Sequence, residues 1–170
     1  LGKSRDLMDQ LSDRNEDIIH QDILKRTQSV LTENQLIVYY SLPIVQESIT
    51  PAGAFITLID KNNIKLLDSG DTLGFYSFLP LINEMQALDI NDLINYYKYL
   101  LTDSSYAQSD LPQKLYQLLA SDFVKVAEGK NEIIIIPDGI LGLIPFETLA
   151  DENGQLLCQK FFSISYIQSL

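Results

Sequence analysis

The sequence predicts an α/β fold: a mixed sheet, with an N-terminal antiparallel meander and a parallel central strand, flanked by helices. Three runs rich in β-branched and aromatic residues, Gln35–Tyr40, Gly53–Asp60 and Ile64–Leu67, predict the meander. The turn residues Lys61–Asn63 join the last two runs as a hairpin. Four consecutive isoleucines, Ile133–Ile136, predict a strand that is buried on both faces. Because helical patterns precede it, this strand requires a crossover and should be parallel to a neighbour.

Composition limits the classes of function. The chain has 170 residues, of which 46% are hydrophobic, and this is enough for one domain with a core. Its net charge of -11 argues against binding to nucleic acid or to an anionic membrane. No apolar run approaches the roughly 18 residues of a membrane-spanning helix. The polar start, Leu1–Gln10, lacks the features of a signal peptide. We therefore predict a cytoplasmic protein with no nucleic-acid and no membrane partner.

The N-terminal region reads as a helical linker, residues 1–31, before the domain at residues 32–170. Apolar residues recur at three- and four-residue gaps over Lys3–Leu31, which predicts one long amphipathic helix or two. The first part, Leu1–Arg14, would contribute little to a core by itself. We expect it to pack against an upstream region, so that the chain is a fragment of a longer protein.

Two helices are predicted between the meander and the isoleucine strand. The first covers Asp92–Leu101. The second begins after Ser109 or Asp110, with Pro112 in its first turn, where proline is tolerated. The stretch before these helices, Asp68–Leu88, is expected to be a loop followed by a short helix. The stretch between them, Thr102–Ser109, is expected to be a polar loop.

The residues after the isoleucine strand predict a series of turns. Pro137 cannot donate a ladder hydrogen bond, so the strand should end there, followed by a turn at Asp138-Gly139 and a short helical segment at Pro145–Ala150. Asp151–Gly154 is expected to be another turn. Two later segments are expected to be short strands, or one broken strand: Leu156–Cys158 and Phe161–Tyr166.

Few residues have the chemistry of an active site. Cys158 and His20 are the only cysteine and histidine, and a thiol with an imidazole base is a known nucleophilic pair. However, His20 lies in the polar N-terminal helix and Cys158 in an apolar strand, so a solvated histidine and a small buried cysteine are favoured. A single cysteine also excludes an internal disulfide and a thiolate zinc cluster. We predict no catalytic residue within the chain.

Three further motifs fail as ligand sites. Asp13–Asp17 resembles the start of a calcium loop, but Ile18 and Leu24 stand where glycine and glutamate are required. The turn Asp138–Gly142 lacks the lysine and the spaced glycines of a phosphate-binding loop. The tyrosines at 96, 97 and 99 could form a recognition surface, although helix packing is the commoner explanation. The sequence therefore predicts no cofactor and no metal.

The last forty residues resemble the first half of CHAT domains, the caspase-like peptidase modules found after TPR repeats. Those domains combine an apolar strand, Pro-Asp-Gly, a Pro-Phe pair and a segment ending in tyrosine and serine. The matching residues here are Pro137, Asp138, Gly139, Leu143, Pro145, Phe146, Leu149, Tyr166 and Ser169. Looser resemblance at 30–42, 54–67 and 111–119 extends the likeness to about residues 25–170.

This resemblance implies a partial caspase-hemoglobinase-like fold, of the kind shared by caspases, separase and gingipains. The catalytic histidine and cysteine of the family follow the tyrosine-serine segment, and neither His20 nor Cys158 matches them. The matched residues are therefore expected to be scaffold. The implied function is that of a non-catalytic N-terminal portion of a CHAT-type cysteine peptidase, which supports the catalytic half and couples it to upstream TPR repeats. The alternative is a non-enzymatic scaffold or protein-interaction module.

The expected partners are all proteins. They are the chain's own catalytic half, TPR repeats, and regulatory proteins or a peptide substrate. If the chain lacks part of its sheet, one strand edge should be exposed or should pair with a second copy, giving a homodimer.

Overall fold

A computed structural model describes residues 23–41, 55–67, 75–87 and 90–167. Within these residues the five strands form one sheet in the order β3-β2-β1-β4-β5. The strands are β1 (Gln35–Ser41), β2 (Phe55–Ile59), β3 (Ile64–Leu67), β4 (Glu132–Ile136) and β5 (Ser163–Tyr166). The pairs β1–β2 and β2–β3 are antiparallel, whereas β4 is parallel to both β1 and β5. The predicted mixed sheet with its meander is confirmed.

Six α-helices lie within the described residues. They are α1 (residues 23–30), α2 (Phe75–Glu84), α3 (Ile90–Leu100), α4 (Leu111–Leu119), α5 (Ser121–Val126) and α6 (Leu157–Lys160). Three 3-10 turns accompany them, at Ser104–Gln108, Gly139–Leu143 and Phe146–Thr148. The part of the predicted N-terminal helix before residue 23 lies outside the described residues, as does the loop at 42–54.

One face of the sheet carries the main core. Ile133 and Ile135 of β4 are fully buried there, in one cluster with Leu93 of α3, Leu115 of α4 and Phe123 of α5. Side chains alternate along a strand, so every second residue of β4 points to the opposite face.

The opposite face of the sheet is only partly covered. Leu31, Ile37 and Ile59 form a small buried cluster there, and Leu24 of α1 packs against it. Ile134 of β4 packs against the same cluster but remains half-buried. The prediction that the isoleucine strand is buried on both faces was therefore wrong for this face, because α1 is the one described helix lying over it.

Three local predictions were also wrong. The polar stretch at 102–109 contains a 3-10 turn, since the side chain of Asp103 accepts a hydrogen bond from the backbone N–H of Ser105 at 2.8 Å. The second helix is broken at Ala120 into α4 and α5. Leu157 and Cys158 lie in a helix, not a strand, and the Gln159 side chain accepts a hydrogen bond from the Leu156 N–H at its start.

The start of α4 agrees with the prediction. Asp110 occupies the N-cap position and Pro112 lies in the first turn. The side-chain bond is made one residue earlier, where the Ser109 hydroxyl accepts from the Leu111 N–H at 3.3 Å. The predicted turn at Asp151–Gly154 is present, with Gly154 at a φ of 78°.

Candidate functional site

The carboxyl ends of the parallel strands β1, β4 and β5 lie at one edge of the sheet. In α/β proteins this edge is where ligands and reacting groups usually lie. The chain leaves β4 here through residues 137–149, which we call the carboxyl-edge segment. It contains most of the residues that the sequence pattern singled out.

The start of the carboxyl-edge segment is shaped by proline and glycine. Pro137 is buried and ends the strand, since it has no N–H for the ladder. Gly139 adopts a φ of 53°, the left-handed region that favours glycine. The following 3-10 turn directs the side chain of Leu141, which is fully buried, into the main core. The turn therefore anchors the segment against the sheet.

Phe146 is the aromatic centre of the segment. Its side chain is fully buried, with its ring centroid 5.2 Å from that of Tyr40 on β1 and 6.4 Å from that of Tyr166 on β5. The Tyr40 hydroxyl in turn donates to the carbonyl of Leu119 at the end of α4, at 2.6 Å. One side chain thus connects two parallel strands, and through Tyr40 it also reaches α4.

The two residues after Phe146 bind Tyr166 and two further tyrosines. The Tyr166 hydroxyl donates to the carboxylate of Glu147. The Tyr106 hydroxyl donates to the carbonyl of Thr148 at 2.6 Å. The Thr148 hydroxyl donates to the carbonyl of Pro145 at 2.7 Å and lies 2.8 Å from the Tyr97 hydroxyl. A hydroxyl has one hydrogen, so Tyr97 is the donor in the last pair.

The electrostatics keep these phenols protonated. Burial raises the pKa of Tyr40, and it also raises the pKa of Tyr97 and of Tyr106. Burial, followed by the hydrogen bond to the Glu147 carboxylate, raises the pKa of Tyr166. At neutral pH the hydroxyls therefore act as hydrogen-bond donors and not as bases. The tyrosine hydroxyls therefore hold elements together and do not serve as proton acceptors.

The structure places the predicted scaffold residues as follows. Pro137, Pro145, Phe146 and Tyr166 lie at this edge, where Phe146 contacts Tyr166. Asp138 is half-buried and Gly139 is exposed. Ser169 lies outside the described residues.

Cys158 differs from its predicted environment. It is exposed on α6, because the adjacent Leu157 takes the fully buried position of that helix. His20 lies outside the described residues, as do Asp13, Asn15 and Asp17, so the prediction of a solvated histidine stays a prediction. Within the described ranges, no cluster of three or more His, Cys, Asp or Glu side chains is arranged to hold a metal.

The tyrosines of α3 divide between core and surface. Tyr97 is fully buried, whereas Tyr96 is 42% exposed and Tyr99 is 60% exposed. The helix-packing interpretation therefore holds for Tyr97 alone. Tyr40, Tyr97 and Tyr106 could not be predicted as partners of the Pro-Phe turn, since no local spacing connects them to it. Glu147 and Thr148 directly follow the matched pair Pro145-Phe146, and this position in the sequence was the one indication that they take part in the site.

A comparison with known families leads to the same part of the chain. Residues 109–170 match the model of the CHAT domain family. This CHAT-matched segment runs from the start of α4 through β4, the carboxyl-edge segment and β5. The match confirms the suspected resemblance over this segment, which is similar to a caspase-like, peptidase-related module. The looser resemblance over residues 25–108 lies outside the match.

Other comparisons gave no counterpart. No curated protein and no solved structure matches the chain. In the part of the chain that the structure describes, none of the helices has the length and apolar character needed to cross a bilayer.

Proposed function

We propose that this chain is the non-catalytic N-terminal portion of a CHAT-type cysteine peptidase, where it supports the catalytic half and couples it to upstream TPR repeats. The proposal rests on the way in which the residues of the family motif pack and form hydrogen bonds within the fold. Within the CHAT-matched segment, Phe146 is fully buried, Tyr166 is bound to Glu147, and Thr148 binds two tyrosines. These side chains connect the carboxyl-edge segment to the sheet, and this favours a scaffold role.

A supporting role also agrees with the chemistry of the described residues. A cysteine peptidase needs a thiolate together with an imidazole base. The described residues include one cysteine, the exposed Cys158, and no histidine. In the proposal, both catalytic groups belong to the catalytic half of the parent protein.

The outer edge of β5 is a suitable place for the catalytic half to dock. The N–H groups of Ser163 and Ile167 point inward and donate to the carbonyls of Asn131 and Ile135. By the two-residue period of a strand, the N–H of Ile164 points outward. Phe162, at the start of this strand, is 88% exposed. An edge with outward donors and exposed apolar residues can accept a further strand.

The α1 helix has two faces, and this supports the coupling role. On one side Leu24 packs on the sheet, and the Gln28 side chain donates to the carbonyl of Asp60 at 3.0 Å. On the other side Ile23 is 55% exposed and Val30 is 78% exposed. These two residues are seven positions apart and therefore share a helix face. We propose that this outward face contacts the last helix of the TPR repeats.

The residues encoded after Leu170 in the parent gene provide the first test. The proposal predicts a His-Gly pair and a later cysteine that follows an apolar strand. If neither is present, the peptidase assignment of the parent is wrong.

Co-expression tests the supporting role itself. The catalytic half, produced alone, should be inactive on peptide substrates, and co-expression with the 170-residue chain should restore cleavage. A Cys→Ala change at the downstream cysteine should abolish the restored cleavage while leaving the two halves associated. A catalytic half that is fully active by itself would contradict the supporting role.

The second candidate function is a non-enzymatic scaffold or interaction module. It is favoured by the same packing of the motif residues, because side chains that stabilise a fold can support assembly without catalysis. In that case the full-length parent would bind a partner without cleaving it. The Cys→Ala change would leave that binding unaltered.

A further inference from the structure

A groove of about 650 Å³ lies between α2 and α4, outside the carboxyl-edge segment. Its volume falls in the range of protein binding sites. One wall is formed by α2 and the other by α4, and the turn after Ala150 completes the lining. The lining residues are Pro80, Leu81, Glu84, Asp110, Gln113, Lys114, Gln117, Leu118 and Glu152.

The groove combines apolar and charged surface. Pro80, Leu81 and Leu118 supply its apolar part, with Leu81 buried and Leu118 half-buried against the core. Such a surface favours aliphatic side chains, since covering it removes apolar area from water.

The charges at the groove are unbalanced. The Lys114 ammonium binds the carboxylate of Asp110 at 2.9 Å and also that of Glu84. Glu152 adds a third carboxylate to the lining. Three carboxylates against one ammonium leave two negative charges around an apolar surface. The hydrogen bonds that Lys114 donates to Asp110 and then to Glu84 raise the pKa of Lys114, so this ammonium stays charged at neutral pH.

We propose that this groove binds a basic amphipathic peptide segment of a partner protein. The aliphatic side chains of the peptide lie on Pro80, Leu81 and Leu118, and its lysine or arginine pairs with Glu152 and with the carboxylate oxygen of Glu84 that Lys114 does not bind. Charge complementarity selects this occupant, because an acidic peptide would meet two uncompensated negative charges. The net charge of -11 on the whole chain also attracts a basic partner. A groove between two helices is a common seat for an amphipathic helix.

The bond between Lys114 and Glu84 also has a structural role, since it connects α2 to α4. The variants that test the proposal should therefore leave this bond intact. Glu152 is exposed and lies outside it, and Glu128 is an exposed glutamate that does not line the groove. Glu152→Gln and Glu152→Lys form the test pair, and Glu128→Gln and Glu128→Lys are the matched controls.

The experiment measures fluorescence anisotropy of a fluorescein-labelled helical peptide made of leucine, lysine and alanine, with the leucines along one face. Two control peptides replace every lysine with glutamate or every leucine with serine. We expect the basic peptide to bind, and both control peptides to bind at least about tenfold more weakly. Glu152→Gln should raise its Kd by about three- to fivefold, and Glu152→Lys should raise it further. The Glu128 variants should leave the Kd unchanged, and added salt should weaken binding.

Four results would overturn the proposal. Equal weakening by the Glu128 and Glu152 variants would show attraction by the net charge alone. If the serine peptide bound as tightly as the leucine peptide, the apolar surface would not take part in binding. If the basic peptide did not bind at all, a basic peptide would not be the ligand of the groove. If spermidine displaced the labelled peptide as effectively as the unlabelled peptide does, the ligand of the groove would be a small polyamine and not a peptide. This experiment is independent of the peptidase assignment, since it uses the 170-residue chain alone.

Discussion

Phe146 shows at the scale of a single residue what the Pro-Phe pair does. Its ring lies between Tyr40 and Tyr166 and has no exposed surface. Loss of a buried aromatic side chain removes its transfer free energy and leaves a cavity. The same residue type is available as a control in Phe162, which is 88% exposed.

We expect Phe146→Ala to lower the free energy of unfolding by about 3–5 kcal/mol. Phe162→Ala should change it by no more than about 0.5 kcal/mol, because the side chain is solvated. Urea denaturation followed by circular dichroism measures both. If both variants lowered the free energy of unfolding by similar amounts, Phe146 would not be the packing centre at the carboxyl ends of the strands.

The glycines of the carboxyl-edge segment give a second matched pair. Gly139 has a φ of 53°, so an alanine there is strained by about 1–2 kcal/mol. At Gly142, the nearest atom to an added Cβ would be a side-chain carbon of Pro137 at 3.7 Å, an ordinary contact. We expect Gly139→Ala to destabilise the protein by about 1 kcal/mol and Gly142→Ala to be neutral or slightly stabilising. Thermal unfolding would test this order, and the reverse order would contradict the turn geometry.

At the scale of elements, the turn between Ala150 and α6 is held by one carboxylate. Asp151 accepts from the N–H groups of Asn153 and Gln155, both at 2.9 Å, and from the Lys160 ammonium at 2.6 Å. The Lys160 bond, and then the backbone bonds, lower the pKa of Asp151 although its partial burial opposes this. A lowered pKa in the folded state stabilises the fold at pH values above the unfolded pKa of about 3.9. This stability is lost as the pH falls through the folded value.

We therefore expect Asp151→Asn to be less stable than the wild type by about 1–2 kcal/mol at pH 7, with the difference shrinking below about pH 4. Urea denaturation over a pH series measures it. Asp122→Asn is the control, since Asp122 pairs with the exposed Lys125 at 2.9 Å and such surface pairs contribute little. A difference for Asp151→Asn that does not change with pH would show that the carboxylate charge is unimportant.

At the scale of the whole molecule, the sheet leaves its edge strands β3 and β5 without an outer neighbour among the described residues. The edge of β5 is the one that belongs to the CHAT-matched segment. In the absence of the proposed catalytic half, we expect the same edge to pair with a second copy of the chain.

This pairing predicts a concentration-dependent dimer, measured by light scattering after size exclusion. Ile164→Pro removes the outward N–H and should shift the chain to a monomer. Ile164→Ala keeps that N–H while it removes the side chain, and it should remain a dimer. A wild-type chain that stays monomeric at every concentration would exclude pairing through this edge.

Local sequence determined the strands, the turns and the family likeness of the last third of the chain. Four isoleucines before a proline predict a strand end, and Asp138-Gly139 predicts a turn, because sterics and missing donors act over a few residues. Contacts between distant residues decided the rest. Tyr97 and Tyr106 meet Thr148 across 51 and 42 residues, and no periodicity encodes such pairs. Cys158 is exposed because Leu157 is buried in the core and the Gln159 side chain caps the helix that contains both. The core that buries Leu157 exists only in the folded chain.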